Sequence, residues 1–130
     1  MIKKKIDQEV EKRENMRGGT GKVTIRHYLK PEEIKARLSA EARLAPPCGA
    51  ARTRLCAELV LPPGSSIGPH DHVNEDEIYI IQKGQGFMTD GGKEFPVTAG
   101  DVILTGQGAS HSVKNTGADD LIITAVILKY

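Results

Sequence analysis

Residues 64–84 read GSSIGPHDHVNEDEIYIIQKG and carry the strongest structural signal in the chain. His70 and His72 are separated by one residue, and side chains two apart leave the same face of an extended strand, so both imidazoles can reach one point. Glu77 follows a polar turn and opens an apolar run, which predicts a strand that carries its carboxylate back towards that point. Two imidazoles and one carboxylate are three ligands of a divalent-metal site.

A second carboxylate close to His72 is an alternative third ligand. Asp76 lies one residue nearer to His72 than Glu77 does, and either carboxylate could complete the set. Glu77 is favoured because it stands at the start of the predicted strand. Asp71 has the opposite strand parity to the two histidines and is expected to face away from them.

The spacing of this stretch resembles the first sequence motif of the cupin superfamily at every fixed position: Gly64, five residues, His70-x-His72, four residues, Glu77, six residues, Gly84. A second stretch, residues 100–115, resembles the second cupin motif at Gly100, Gly108, His111 and Asn115. It departs from that motif where Gly106 replaces the usual proline. The chain is therefore similar to small single-domain metal-binding cupins.

This resemblance implies both a fold and a ligand set. The expected fold is an all-β, double-stranded β-helix (jelly-roll) cupin barrel. The expected fourth ligand is His111, which would join His70, His72 and Glu77 around one divalent ion. Nitrogen and oxygen ligands without thiolate do not select a single metal. The resemblance favours manganese or iron, with zinc, nickel, cobalt and copper as alternatives.

The rest of the chain suits a barrel preceded by a charged segment. Residues 23–28, 55–61 and 121–128 have strand patterns, and Asp90-Gly91 predicts a hairpin turn between residues 86–89 and 93–97. Residues 31–38 open like a helix, and residues 39–50 resemble a loop. We divide the chain into an N-terminal arm, residues 1–22, and a barrel domain, residues 23–130. The arm fits a helix or a strand, and its glycine cluster, residues 18–21, is interpreted as a flexible hinge.

Composition narrows the class of protein. The 130 residues suit one domain, and a formal net charge of +1 gives no electrostatic basis for binding nucleic acid or an anionic membrane. Cys48 and Cys56 lack a metal or redox spacing and are expected to be separate thiols. The sequence has no long apolar run and no signal core, so we expect a soluble, cytoplasmic protein.

A substrate pocket is expected beside the metal. Tyr79 shares strand parity with Glu77 and should point inward, with Phe87, Val113 and Gln107 as further lining residues. Gly106 removes a fixed φ angle from its loop, which could act as a gate.

The last predicted strand, residues 121–128, is apolar at almost every position. A strand that is apolar on both faces is covered on both, and the candidates for covering its outer face are another sheet, the N-terminal arm and a second subunit. We therefore expect a homodimer.

Two classes of function fit this reading. The first is a metal-dependent enzyme acting on a small carboxylate or hydroxylated substrate, as a decarboxylase, dioxygenase or isomerase. The second is a non-enzymatic cupin that binds or senses a small ligand. An enzyme needs a titratable wall residue near the ion, and Arg54, Glu58 and His27 are candidates if their strands turn those side chains inward.

Overall fold

The computed structural model describes residues 2–34, 36 and 52–130, and strands dominate them. The strands are β1 Val10–Glu14, β2 Lys22–Leu29, β3 Thr53–Leu61, β4 Ser66–Asp71, β5 Glu75–Lys83, β6 Gln85–Asp90, β7 Lys93–Thr98, β8 Val102–Thr105, β9 Ser110–Asn115 and β10 Leu121–Lys129. Two short 3-10 helices, Lys5–Asp7 and Met16–Gly18, lie in the N-terminal segment, and residues 31–34 form a helical turn.

The strands form two antiparallel sheets. The larger sheet has the order β1-β2-β3-β10-β5-β8, and the smaller has the order β4-β9-β6-β7. From β3 to β6 and again from β8 to β10, the chain passes from one sheet to the other at each connection. This alternation is that of a jelly roll, in which two sheets share one core. The all-β jelly-roll prediction is confirmed.

The core lies between the two sheets because alternate residues of each strand face inward. In β10, Leu121, Ile123 and Ala125 are fully buried, and β3 and β5 follow the same alternation. Ile67 and Val113 face them from the smaller sheet and are also buried. The outward-facing residues of β10 are half-buried up to Val126. The second subunit that we expect to cover them stays a prediction.

The N-terminal segment is part of the larger sheet. Within it β1 pairs antiparallel with β2, so that Glu11 lies opposite Ile25 and Arg13 opposite Val23. Of the two conformations that fitted its pattern, the strand is the one observed over Val10–Glu14. The glycine cluster that we expected to be a hinge is hydrogen-bonded to β4, where the Thr20 amide donates to Ser66 Oγ at 2.8 Å.

Several boundaries differ from the sequence interpretation. The turn between β6 and β7 consists of Gly91 and Gly92, one residue later than predicted, because Asp90 already pairs with Lys93. Strand β5 begins at Glu75, so the polar turn before it is shorter than predicted. The predicted loop of residues 39–50, with Cys48, lies outside the described residues, as does most of the second half of the predicted helix. Cys56 is a half-buried free thiol.

Candidate metal centre

Four side chains from both sheets meet at one point between them. His70 lies in β4 directly opposite His111 in β9, and His72 follows the end of β4. Backbone bonds to the next loop hold His72, since its amide donates to the Ala109 carbonyl at 3.1 Å. Glu77 comes from β5 in the larger sheet. The structure thus brings together all four predicted ligands.

The ligand atoms have the separations that one ion requires. The Nε2 atom of His111 lies 3.1 Å from those of His70 and His72. Glu77 Oε2 lies 2.9 Å from the Nε2 atoms of His72 and His111 and 3.6 Å from that of His70. Ligands about 2.1 Å from a common ion and at right angles to each other lie about 3.0 Å apart. The observed spacing therefore fits a single divalent ion.

Each imidazole is oriented through its other ring nitrogen. His70 Nδ1 donates to the Gly68 carbonyl at 2.9 Å, and His72 Nδ1 donates to Glu75 Oε1 at 3.0 Å. His111 Nδ1 shares a hydrogen bond of 3.0 Å with the Thr105 hydroxyl. Such partners fix the ring orientation and leave Nε2 free to bind a metal.

At His70 and His72 this orientation turns unprotonated Nε2 atoms towards Glu77. A neutral His70 or His72 that donates from Nδ1 presents only a lone pair at Nε2. Burial lowers the pKa of His72, against the charge of Glu77, so its ring is neutral at neutral pH. Burial would raise the pKa of Glu77, but the neighbouring imidazoles outweigh it and hold that pKa at about 2. Glu77 Oε2 is buried without a hydrogen-bond donor, and a cation would satisfy it.

Glu75 and Arg54 hold His72 through its Nδ1 atom, on the side of the ring away from the other ligands. Arg54 Nε donates to Glu75 Oε2 at 2.6 Å, and Arg54 Nη2 donates to the other oxygen of the same carboxylate. The hydrogen bond from Arg54 holds the pKa of Glu75 below its usual value. Glu75 therefore stays ionised and accepts the His72 proton, in the carboxylate–histidine arrangement common behind metal ligands. No sequence pattern predicts this role of Glu75, because its pairing with Arg54 depends on the folded sheet.

The centre opens into a cavity of about 190 Å³. A cavity of this volume limits a ligand to a small molecule. Its lining includes the ligands His70, His72 and Glu77, the aromatic Tyr79, and a charged wall that contains His27 and three arginines. Of the three wall candidates from the sequence, Arg54 and His27 face this cavity, whereas Glu58 lies on the other side of the sheet and pairs with Arg26.

Tyr79 lies inside, as its strand parity predicted. Its ring stacks on that of His111, with the ring centroids 5.0 Å apart and an interplanar angle of 29°. Burial raises the pKa of the Tyr79 hydroxyl well above its usual value, and the charge of Glu77 adds to the effect. The hydroxyl therefore stays protonated and can donate a hydrogen bond into the site.

The other predicted pocket residues lie elsewhere. The Phe87 side chain is 44% exposed and lines a separate surface depression with Pro96 and Thr98, because Gly86 and Met88 take the inward positions of β6. Gln107 is exposed, and its backbone N–H donates to the Tyr130 hydroxyl at 3.3 Å. Val113 is buried in the core and does not line the cavity.

The structure explains two details of the motifs. Asp76, the alternative to Glu77, accepts a hydrogen bond from the Tyr130 hydroxyl at 3.4 Å, away from the four ligands. A Cβ atom at Gly106 would lie 1.8 Å from Asp76 Oδ1, so a side chain at this position would displace that carboxylate. The proposed gating role of the Gly106 loop stays a prediction.

The comparison with known families rests on the same region. The cupin domain family matches residues 57–127, which is more than half of the chain and includes all four ligands. The chain belongs to the cupin family. An oxalate-binding protein of Thermotoga maritima is 41% identical to this cupin over 128 residues, which are 98% of this chain and 93% of that protein.

Solved cupin structures agree with the fold. The crystal structure of a predicted oxalate decarboxylase from Thermotoga maritima superposes with a TM-score of 0.82 at 41% identity and covers 100% of both chains. A cupin 2 conserved barrel domain protein from Salinispora arenicola gives a TM-score of 0.55 at 32% identity, over 66% of this chain and 71% of that one. Within the described residues, no helix is long and apolar enough to span a membrane.

Proposed function

We propose that this cupin binds one divalent metal ion through His70, His72, Glu77 and His111, and that the ion binds a small carboxylate. The supporting observation is the convergence of three Nε2 atoms and Glu77 Oε2, 2.9 to 3.6 Å apart in five of their pairs, with Glu77 Oε2 buried and without a hydrogen-bond donor. Three neutral imidazoles and one carboxylate leave a divalent ion with a net positive charge and, in six-coordination, two positions for ligand oxygens. Manganese or iron is the proposed ion.

The choice of a carboxylate has two supports. The relative from Thermotoga maritima, 41% identical over almost all of both chains, is described as an oxalate-binding protein. The cavity of this chain is small and is lined by Arg13, Arg17 and Arg54 beside the proposed ion. Arginine is the side chain best suited to bind carboxylates, because its planar donors match both oxygens.

Calorimetric titration with oxalate tests this function. The manganese-loaded protein is expected to bind oxalate at one equivalent, whereas the same protein stripped of metal is expected not to bind it. Full binding by the metal-free protein, or no binding by the fully loaded protein, would contradict the proposal.

A second candidate function, decarboxylation of the bound carboxylate, is favoured by one observation. His27 lies on the cavity wall with its Nε2 atom 2.9 Å from Glu11 Oε1, so a titratable pair faces the proposed ligand. Decarboxylation of oxalate breaks the carbon–carbon bond, releases carbon dioxide and leaves a carbon that takes up a proton as formate. His27 is the proposed proton donor, the Glu11 carboxylate bonds to its ring and orients it, and solvent water restores the proton that is transferred.

Product analysis separates these two functions. If the protein is a decarboxylase, the loaded protein converts oxalate to equal amounts of formate and carbon dioxide. The variant His27→Asn is then expected to lose about a hundredfold or more in rate and to keep oxalate binding. Binding without any product would leave the non-enzymatic function. Dioxygenase and isomerase activities remain proposals for other hydroxylated substrates.

We also propose that two copies associate through the outer face of the larger sheet. Leu104 and Val102 of β8 lie opposite Ile78 and Ile80 of β5, and all four point away from the core. Val102 and Leu104 are 64% and 63% exposed on an edge strand. An apolar face of this kind on an unpaired edge is typical of an interface between subunits.

A further inference from the structure

The charged part of the cavity lies outside the region that the cupin family matches. Residues 57–127 supply the four metal ligands, but all three arginines that line the cavity come from earlier in the chain. Arg13 belongs to β1, Arg17 to the short helix Met16–Gly18, and Arg54 to β3. The family match therefore accounts for the metal ligands and gives no account of the wall that a ligand would contact.

Two of these arginines already have carboxylate partners. Arg13 Nη2 lies 3.1 Å from Glu11 Oε1, and Arg54 forms its two-pronged pair with Glu75. Arg17 differs from both, because none of the described carboxylates lies within ion-pair distance of it. Its side chain is exposed at the cavity and is available to an incoming anion.

The backbone of Arg17 is held against the metal centre. Arg17 has φ 54°, in the left-handed region that side chains other than glycine rarely adopt, and Asn15 in the same loop has φ 47°. A Cβ atom at Gly68 would lie 2.1 Å from the Arg17 carbonyl oxygen, so the two backbones are in direct contact. The Gly68 carbonyl also accepts the Nδ1 proton of His70. One contact therefore links the loop that carries Arg17 to a metal ligand.

Charge balance indicates the kind of anion. Three arginines and the three carboxylates of Glu11, Glu75 and Glu77 lie around the cavity and the metal centre, so their formal charges cancel. A divalent ion then adds two positive charges, which a dianion would neutralise. Burying a charge is favourable only when it is paired, so a dianion suits this cavity better than a monoanion. The small volume restricts that dianion to a short one.

We propose that Arg17 binds the outer carboxylate oxygens of a short dicarboxylate whose other oxygens bind the metal. The inference rests on the proposed function and adds the residue that selects the ligand. It makes the segment from β1 to Gly18 a part of the ligand site, although sequence patterns mark it as an arm. Arg17 is then a specificity-determining residue that contacts the ligand and does not hold the ion.

Oxalate and glycolate form a matched pair of ligands for the test. Both can chelate a metal through two oxygens in a five-membered ring, but only oxalate has the second carboxylate. We would titrate each into the manganese-loaded full-length protein, its Arg17→Gln variant and the control Lys12→Gln. Lys12 makes the same change of charge on the outward, exposed face of β1, opposite Thr24. Metal content and melting temperature are measured for each variant.

The expected result is selective. Arg17→Gln should weaken oxalate binding by about tenfold or more, because charge-assisted bonds to a carboxylate are lost, and should change glycolate binding by less than about threefold. Metal content should stay at the wild-type value, and Lys12→Gln should match the wild type throughout. Arg17→Lys, which keeps the charge and loses the planar donors, should give an intermediate oxalate affinity and serves if the glutamine variant does not fold.

Three outcomes would overturn the inference. An unchanged ratio of oxalate to glycolate affinity in Arg17→Gln would mean that Arg17 does not bind the second carboxylate. A loss of metal in that variant would mean that Arg17 acts through the structure of the metal centre. A wild-type protein that holds its metal and binds neither ligand would reject the proposed function and this inference together, whereas the first two outcomes leave the proposed function intact.

Discussion

At the scale of single residues, the candidate centre depends on groups behind the four ligands. Each histidine uses Nδ1 to bond a different partner: a backbone carbonyl, a carboxylate or a hydroxyl. Because His70 and His72 donate from Nδ1, their Nε2 lone pairs face Glu77, whose Oε2 atom is buried without a hydrogen-bond donor. The preference for a cation is therefore built into the tautomers of the rings as well as the identity of the ligands.

Replacing Glu75 tests this support directly. Glu75→Gln can still form a hydrogen bond to His72 but removes the charge that pairs with Arg54, and we expect metal affinity to fall by about 10- to 100-fold. Glu58→Gln is the matched control, because Glu58 also pairs with an arginine, 3.3 Å away, but on the outer face of the sheet. Competition with a chromogenic chelator measures both. Equal affinities in the two variants would show that Glu75 does not support the centre.

At the scale of strands, the sequence was informative wherever parity was unambiguous. His70 and His72 on one face, and Glu77 with Tyr79 on another, followed from a period of two. The structure agrees, since His72, Glu77 and Tyr79 are buried and the half-buried His70 ring meets His111. In β6 the same alternation could not tell which residues face the core, because the neighbours Phe87 and Met88 are both apolar and Gly86 has no side chain. The Arg54–Glu75 pair could not be predicted either, since it forms only when β3 and β5 lie two strands apart in one sheet.

The parity of β6 has a consequence for stability. Met88 is 1% exposed, so Met88→Ala removes core contacts and is expected to lower the free energy of unfolding by about 2 to 5 kcal/mol. Phe87 is 44% exposed, and Phe87→Ala is expected to lower it by less than about 1 kcal/mol. Urea denaturation of the metal-free protein measures both changes. A larger loss for Phe87→Ala than for Met88→Ala would contradict the observed orientation of β6.

At the scale of the whole molecule, both sheets contribute residues to the proposed site. The smaller sheet and the loop after β4 supply the three histidines. The larger sheet supplies Glu77 and, together with the short helix Met16–Gly18, the charged wall. The ion would therefore bridge the two sheets. Because such a ligand set forms only in the folded chain, metal binding should stabilise the fold, and chelation should lower the melting temperature.

The proposed dimer is tested on the outer face of the larger sheet. Leu104→Arg places a charge in the centre of the exposed apolar strand β8, and we expect it to convert a dimer into a monomer. Phe95→Arg is the control, since Phe95 is 48% exposed on β7 in the other sheet. Light scattering after size exclusion measures the mass of each. A wild-type monomer, or dissociation by Phe95→Arg alone, would contradict the proposed interface.

The measurement that bears most directly on the metal centre is the metal content of protein purified without chelators, by elemental analysis. The wild type is expected to carry one equivalent of a divalent metal, manganese or iron foremost, and His72→Ala is expected to lose it. His27→Ala, which removes a histidine outside the ligand set, should keep the wild-type content. A wild-type protein that stays metal-free when manganese, iron and zinc are offered, or a His72→Ala variant with full content, would contradict the account.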